Sequence, residues 1–284
     1  MKNRKSIISI LSVLAVCITV ILMHAAFTFN PLTQSFSTET QTSVPLKILM
    51  YHDISSRPPG PYTLPPDDFE KDLQYIQAQG YTTITISDLI AFQTGDTPLP
   101  CKPIMLTFDD GDRSNYTVVF PLLQKYQMKA VMSVVGKYID QNYYADGSYN
   151  TDYQSNLTYA QIKEMSESGL VEIQNHGYNM HSLSPRRGMR NMKKENFSDY
   201  ENALSTDLQK LHALLLEKCA VTCSAVAFPF GSYSSSTIKV IEKNGYKAAL
   251  TCSEGINHIT KTSSLFHLKR YNRPHGKSVE KILG

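Results

Sequence analysis

The chain has 284 residues, 42% of them hydrophobic and 19% charged, which suits one large α/β domain or two small ones with ample core. Its formal charge of +3 comes wholly from Lys2, Arg4 and Lys5, and the 25 basic residues left after them balance 25 acidic ones, so the body is neutral and nucleic acid is excluded as the main partner. Five cysteines (Cys17, Cys101, Cys219, Cys223 and Cys252) have neither zinc-ribbon nor disulfide-framework spacing and are read as separate thiols.

Residues 1–5 are basic and 7–27 almost wholly apolar, a length that suits one membrane span. With the positive charges on the cytoplasmic side, residues 1–27 are read as an uncleaved anchor that leaves the body extracytoplasmic. A cleaved signal peptide, giving a secreted protein, is the alternative. Residues 28–45, rich in Thr, Ser and Gln, form a linker, and 46–284 form the folded domain. The domain opens on an apolar strand, Lys47 to Tyr51, ending in His52. A Pro-rich loop spans 58–66. Asp67 or Asp68 is expected to cap a helix with Phe69, Leu73 and Ile76 on its inner face and Gly80 at its end. Tyr81 to Ile86 reads as a strand, and Ser87 as the cap of a short helix to Phe92.

The strand over 103–110 contains the apolar run Ile104-Met105-Leu106, as in parallel strands covered on both faces. A helix over 114–126 and a strand over 130–135 follow. Residues 138–157, polar and Tyr-rich, read as a long surface loop. Thr158 to Gln161 is a capping box opening a helix that ends at Gly169. Leu170 to Gln174 forms a strand leading into His176, and the basic stretch 184–197 reads as a solvated loop. A helix over 198–218 carries Leu204, Leu208, Leu211 and Leu215 at helical spacing. A strand over 224–228, a helix over 235–244 and a strand over 248–252 complete the regular elements. Alternating strands and helices imply a parallel sheet or barrel. No Gly-rich phosphate loop is present, so no nucleotide cofactor is expected.

Asp109 and Asp110 could not share a face within a strand, but at its C-terminal end, with Gly111 able to turn, both can aim at one site. His176 and His181 are spaced i, i+5, which does not share a helix face and places the pair on a loop after a strand. Two histidines and one carboxylate make a three-ligand metal site with an open position, the pattern of catalytic zinc.

Thr107-Phe108-Asp109-Asp110-Gly111 resembles the first signature motif of the polysaccharide deacetylase family (carbohydrate esterase family 4, the NodB-homology domain). His176 to His181 resembles the second motif in the longer-spaced form of the poly-N-acetylglucosamine deacetylase branch, and Phe228-Pro229-Phe230-Gly231 resembles the third. The opening Leu49-Met50-Tyr51-His52 is similar to the same branch. The resemblance covers about residues 46–284. It implies a distorted (β/α)7 barrel that removes acetyl groups from N-acetylglucosamine polymers of cell wall or exopolysaccharide. It implies Asp110, His176 and His181 as ligands of one divalent ion, Zn2+ first and Co2+, Ni2+ or Fe2+ as alternatives. Asp109 is then the general base acting on metal-bound water. The backbone N–H of Phe230, after Pro229, stabilises the oxyanion. His52 is assigned as general acid, with His267 (in Leu265-Phe266-His267, a literal match to the fifth motif) and His275 behind it. The third motif of the family begins with Arg where Ala227 stands here, and Arg270 from another strand is the candidate substitute. The rival readings are an O-acetyl esterase on wall polymers and an inactive glycan-binding barrel, the latter favoured by the missing Arg.

Overall fold

The computed structural model describes residues 43–95, 97–143 and 155–284. The anchor segment 1–27, nearly all of the linker and the centre of the Tyr-rich loop lie outside these residues. The parallel frame is built from β1 (Val44–Tyr51), β5 (Pro103–Phe108), β6 (Ala130–Val134), β7 (Val171–Asn175), β8 (Ala225–Ala227) and β9 (Ala248–Leu250), hydrogen-bonded in that order. Shorter strands complete the set: β2 (Asp53–Ile54), β3 (Thr63–Leu64), β4 (Thr82–Thr83), β10 (Asn257–Ile259) and β11 (Tyr271–Asn272). β2 and β3 form a separate two-stranded sheet, β4 adds to β5, and β10 pairs antiparallel with the start of β1.

The circuit of strands closes through residues 268–272. Leu268 bridges in parallel to Leu250 of β9, and β11 pairs in parallel with Leu49 and Met50 of β1. This gives the distorted (β/α)7 barrel expected from the sequence. All six residues of β5 are buried, as a strand covered on both faces requires. The long helix Phe197–Cys219 buries Leu204, Leu208, Leu211 and Leu215 completely against the outside of the barrel. Two apolar clusters divide along the alternation of the strands. Leu106 and Phe108 belong to one, and Met105 belongs to the other with Val131, Ala225 and Ala227.

Several local expectations are corrected. The strand expected over 81–86 is only Thr82–Thr83, because Thr85 caps the next helix, Ile86–Thr94, in a reciprocal box with Asp88. Ser87 therefore lies inside that helix. Neither Asp67 nor Asp68 caps the helix Pro66–Ala78, whose cap residue is Pro65 and whose start is preset by the fixed φ of Pro66. The first strand begins at Val44, ahead of Lys47, because β10 pairs with Val44 to Leu46. The segment read as one helix over 114–126 starts as a π turn, Asn115–Val119, before the α-helix Phe120–Tyr126. Residues 136–140, on the edge of the expected Tyr-rich loop, form a short helix. Cys219 and Cys223 are free, buried thiols, as expected.

Candidate active site

The C-terminal ends of β1, β5, β7, β8 and β9 surround a cavity of about 420 Å3. Met50, His52, Asp109, Asp110, His176, His181, Phe230 and Cys252 line it, with Tyr62, Arg187 and Asn272 at its edge. This is the end of a parallel barrel at which chain reversals gather side chains from separate strands.

The two aspartates reach the site by different routes. Asp109 follows β5 directly, is 2% exposed and points into the barrel interior. Asp110 adopts φ +72° and Gly111 φ +78°, so the left-handed turn begins at the aspartate itself. Asp tolerates this region better than most residues, and the reversal breaks the strict alternation of the strand. A Cβ on Gly111 would lie 3.2 Å from Val134 Cγ1, in addition to its left-handed strain.

Asp110 Oδ1 lies 3.4 Å from His176 Nε2 and 3.1 Å from His181 Nε2. One ligand atom from each of the three residues falls within 4.8 Å of the others. His176 Nδ1 is 2.9 Å from the Ala227 carbonyl, which only a protonated Nδ1 can satisfy, so in the neutral ring Nε2 presents its lone pair to the site. His181 Nδ1 contacts the Tyr138 hydroxyl at 3.0 Å. Asp110 Oδ1 is buried and accepts no hydrogen bond of good geometry. A buried carboxylate oxygen facing two imidazole nitrogens, with both far nitrogens engaged elsewhere, fits a divalent cation with one position left open.

The second loop histidine is held by residues that sequence reasoning did not single out. Asp207, on the long helix, accepts from the Tyr178 and Asn179 amides at 2.7 and 2.8 Å. Asn175 Oδ1 accepts from the Gly177 amide at 2.7 Å. Gly177 adopts φ +84°, and a Cβ there would approach Asp207 Oδ1 to 3.1 Å. Asp207 sits on the polar side of an amphipathic pattern, where a sequence reading assigns it to solvent. Just past β1, the His52 carbonyl accepts from Asn115 Nδ2 at 2.9 Å, so the π turn positions the chain where it leaves the strand at His52.

Arg270 is fully buried inside the barrel and forms a two-pronged pair with Asp109: Nη1 to Oδ1 at 2.8 Å and Nη2 to Oδ2 at 2.7 Å. Its Nε donates to the Thr251 carbonyl at 2.8 Å. Arg270 thus stands beside the acid from the closing segment, while Ala227 lies buried on β8.

These contacts set the charges. Burial pushes the Asp109 carboxyl up, but the Arg270 guanidinium and His176 outweigh it and hold the group below the ordinary 3.8. Burial also opposes ionisation of Asp110, and the two imidazoles reverse that, leaving it well below the usual range. His176 is pushed down by burial and raised above 6.5 by the carboxylates of Asp109 and Asp110. For His52 burial wins, and its pKa falls below 6.5 despite the same two carboxylates. His52 Nδ1 is buried without a hydrogen-bond partner among the described residues.

Of the three histidines considered for proton donation, only His52 lines the cavity among the described residues. His267 is exposed with its ring 5.8 Å from Tyr233, and His275 lies at the surface 3.4 Å from Asp68. Phe230 adopts φ +57° after Pro229, and its ring centroid is 4.4 Å from that of His181. Its backbone N–H donates to no group among the described residues.

The family model for polysaccharide deacetylase matches residues 96–249. A poly-β-1,6-N-acetyl-D-glucosamine N-deacetylase of Escherichia coli (strain K12) is 29% identical over 219 residues, covering 70% of this chain. The match spans 32% of that longer protein. Among solved structures, the Streptococcus pyogenes deacetylase PplD in complex with acetate superposes with a TM-score of 0.69 at 25% identity, covering 85% of this chain and 98% of that one. A de-N-acetylase from Aggregatibacter actinomycetemcomitans shares the fold, with a TM-score of 0.71 at 21% identity over 84% of this chain and 98% of that one. The barrel closed by residues 268–272 and the matched stretch that carries both aspartates and both loop histidines agree with one another: the chain belongs to the polysaccharide deacetylase family, carbohydrate esterase family 4.

Proposed function

We propose that the chain is a metal-dependent N-deacetylase acting on N-acetylglucosamine-containing polysaccharide. The convergence of Asp110, His176 and His181 beside an ion-paired Asp109 carries the reading. The poly-N-acetylglucosamine deacetylase relative supports the substrate class. A divalent cation, Zn2+ first, held by these three residues supplies Lewis-acid polarisation and acidifies water.

In this reading Asp109 is the general base. Its depressed pKa keeps it ionised across neutral pH, and Arg270 fixes the orientation of both oxygens. The Phe230 N–H, which has no acceptor among the described residues and lies next to His181, donates to the oxyanion. His52 returns a proton to the leaving amine. Burial makes its charged form a stronger acid than an ordinary imidazolium, and the carboxylates of Asp109 and Asp110 partly offset that shift. The Asp109–Arg270 pair stands where the motif arginine absent at Ala227 would act, which supports an active barrel over an inactive one. The basic start and apolar stretch over 7–27 support a membrane-attached domain facing outward.

Acetate release from N-acetylglucosamine oligomers, with and without a chelator, tests the proposal. Release that stops with chelator and returns with zinc is expected. Release only from O-acetylated polymers would favour the esterase reading, and release unaffected by chelation would sink the metal role.

Metal uptake should be strongly pH-dependent. His176 must be neutral to bind, and the carboxylates raise its pKa above 6.5, so protons compete with metal even somewhat above that value. Zinc affinity is expected to climb as pH rises through this region and then level off. An affinity independent of pH there would remove His176 from the ligand set.

A further inference from the structure

On the other side of His181, which also lines the catalytic cavity, lies a second groove of about 560 Å3, lined by Lys137, Tyr138, Asn179, Arg186 and Asp207 among others. Most charges along this path are committed. Asp109 is paired with Arg270, and Asp110 faces two imidazoles. Asp207 spends both oxygens on backbone amides, and Arg186 is forked onto Glu195. Two cations have no carboxylate partner among the described residues: Arg187 at the catalytic cavity and Lys137 in the groove.

Arg187 is held there by its backbone. Its carbonyl accepts from Ser232 Oγ at 2.8 Å, and the Met189 amide donates to the Ser232 carbonyl at 3.2 Å. Gly188 adopts φ +54°, and a Cβ on it would fall 2.5 Å from the Pro229 carbonyl oxygen. The basic loop read as solvated is therefore packed against the Pro229–Gly231 turn, and the exposed Arg187 side chain reaches the cavity whose other charges are already paired. A half-enclosed pocket with an unneutralised guanidinium attracts an oxyanion.

We infer that the site selects N-acetylated glycans that carry an oxyanion, a carboxylate or a phosphate, on the reacting sugar or its neighbour. Arg187 holds the anion, and Lys137 attracts the part of the chain that continues into the groove. The inference deepens the deacetylase reading and rests on it for the identity of the glycan.

Binding is measured by calorimetry on the full chain after chelation, which separates it from turnover. The probes are a tetramer alternating N-acetylglucosamine and N-acetylmuramate, the same tetramer with its carboxylates amidated, and an N-acetylglucosamine tetramer bearing a C6 phosphate. At least one charged probe is expected to bind about tenfold tighter than the amidated one. That preference should shrink as salt rises. Arg187→Gln should bring it close to parity, and Arg187→Lys should keep most of it. The tighter of the two charged probes identifies the anion. Equal binding of charged and amidated probes, or a preference that survives Arg187→Gln, overturns the inference whether or not acetate is released in the activity assay. A preference without acetate release from any oligomer leaves the anion site standing and overturns the deacetylase reading instead.

Discussion

Asp109→Asn is expected to lower acetate release by about 10²- to 10⁴-fold, the range for removing a general base, while the protein still binds one divalent ion. Asp110→Asn should abolish release by losing the ion. The two residues are adjacent, yet their surroundings separate them. Asp109 gives both oxygens to Arg270, whereas Asp110 turns Oδ1 toward His176 and His181. Metal content by mass spectrometry, read beside acetate release, distinguishes the variants. Asp109→Asn also leaves the buried Arg270 charge without its counter-ion, so its melting temperature should fall. Asn keeps one acceptor for the guanidinium, so some folded protein should remain for the metal measurement. Full activity in Asp109→Asn, or retained metal in Asp110→Asn, would reverse the assignment.

Arg270→Gln is expected to cost about 3–5 kcal/mol of stability, the usual penalty for removing one partner of a buried ion pair. For a domain of this size that corresponds to a loss of about 6–20 °C in melting temperature. The loss has a pH signature. In the native protein the Asp109 pKa is depressed below 3.8, so the contribution of the pair is complete above that value and disappears as pH falls through the lower folded-state value. Without Arg270, the upward push of burial on Asp109 is less opposed, and the acid limb of the rate profile should move to higher pH. Thermal melts across pH and a pH–rate profile of the variant check both parts. A variant within about 1 kcal/mol of the parent, with an unmoved acid limb, would mean that Arg270 does not govern Asp109.

The chemistry-bearing residues were legible because they follow strands whose apolar character shows locally. Ile104 to Leu106 announces β5, and the Asp pair and Gly111 directly follow it. Leu170 to Gln174 announces β7, which leads to His176. The periodic leucines of the long helix mark its buried face in the same way. Short-range signals also decided the cap at Thr158. Where two local signals competed, at Thr82 to Ser87, the capping box at Thr85 prevailed over β propensity, a contest that propensity alone does not resolve.

What depended on the tertiary structure was partnership across long separations. Arg270 meets Asp109 because residues 268–272 close the barrel between β9 and β1, and no periodicity links positions 161 residues apart. Asp207 pins the His181 loop from a helix face that reads as solvent-exposed, and Arg187 reaches the cavity because Gly188 lets its loop pack on the turn at Pro229. The sequence by itself determined the alternation of strands and helices, the aspartate pair and the two loop histidines, since each is encoded within a few residues of its own strand. Which charges neutralise one another, and which stay free to meet a substrate, was decided by barrel closure and loop packing, because Coulombic pairing depends on distance in space and not along the chain.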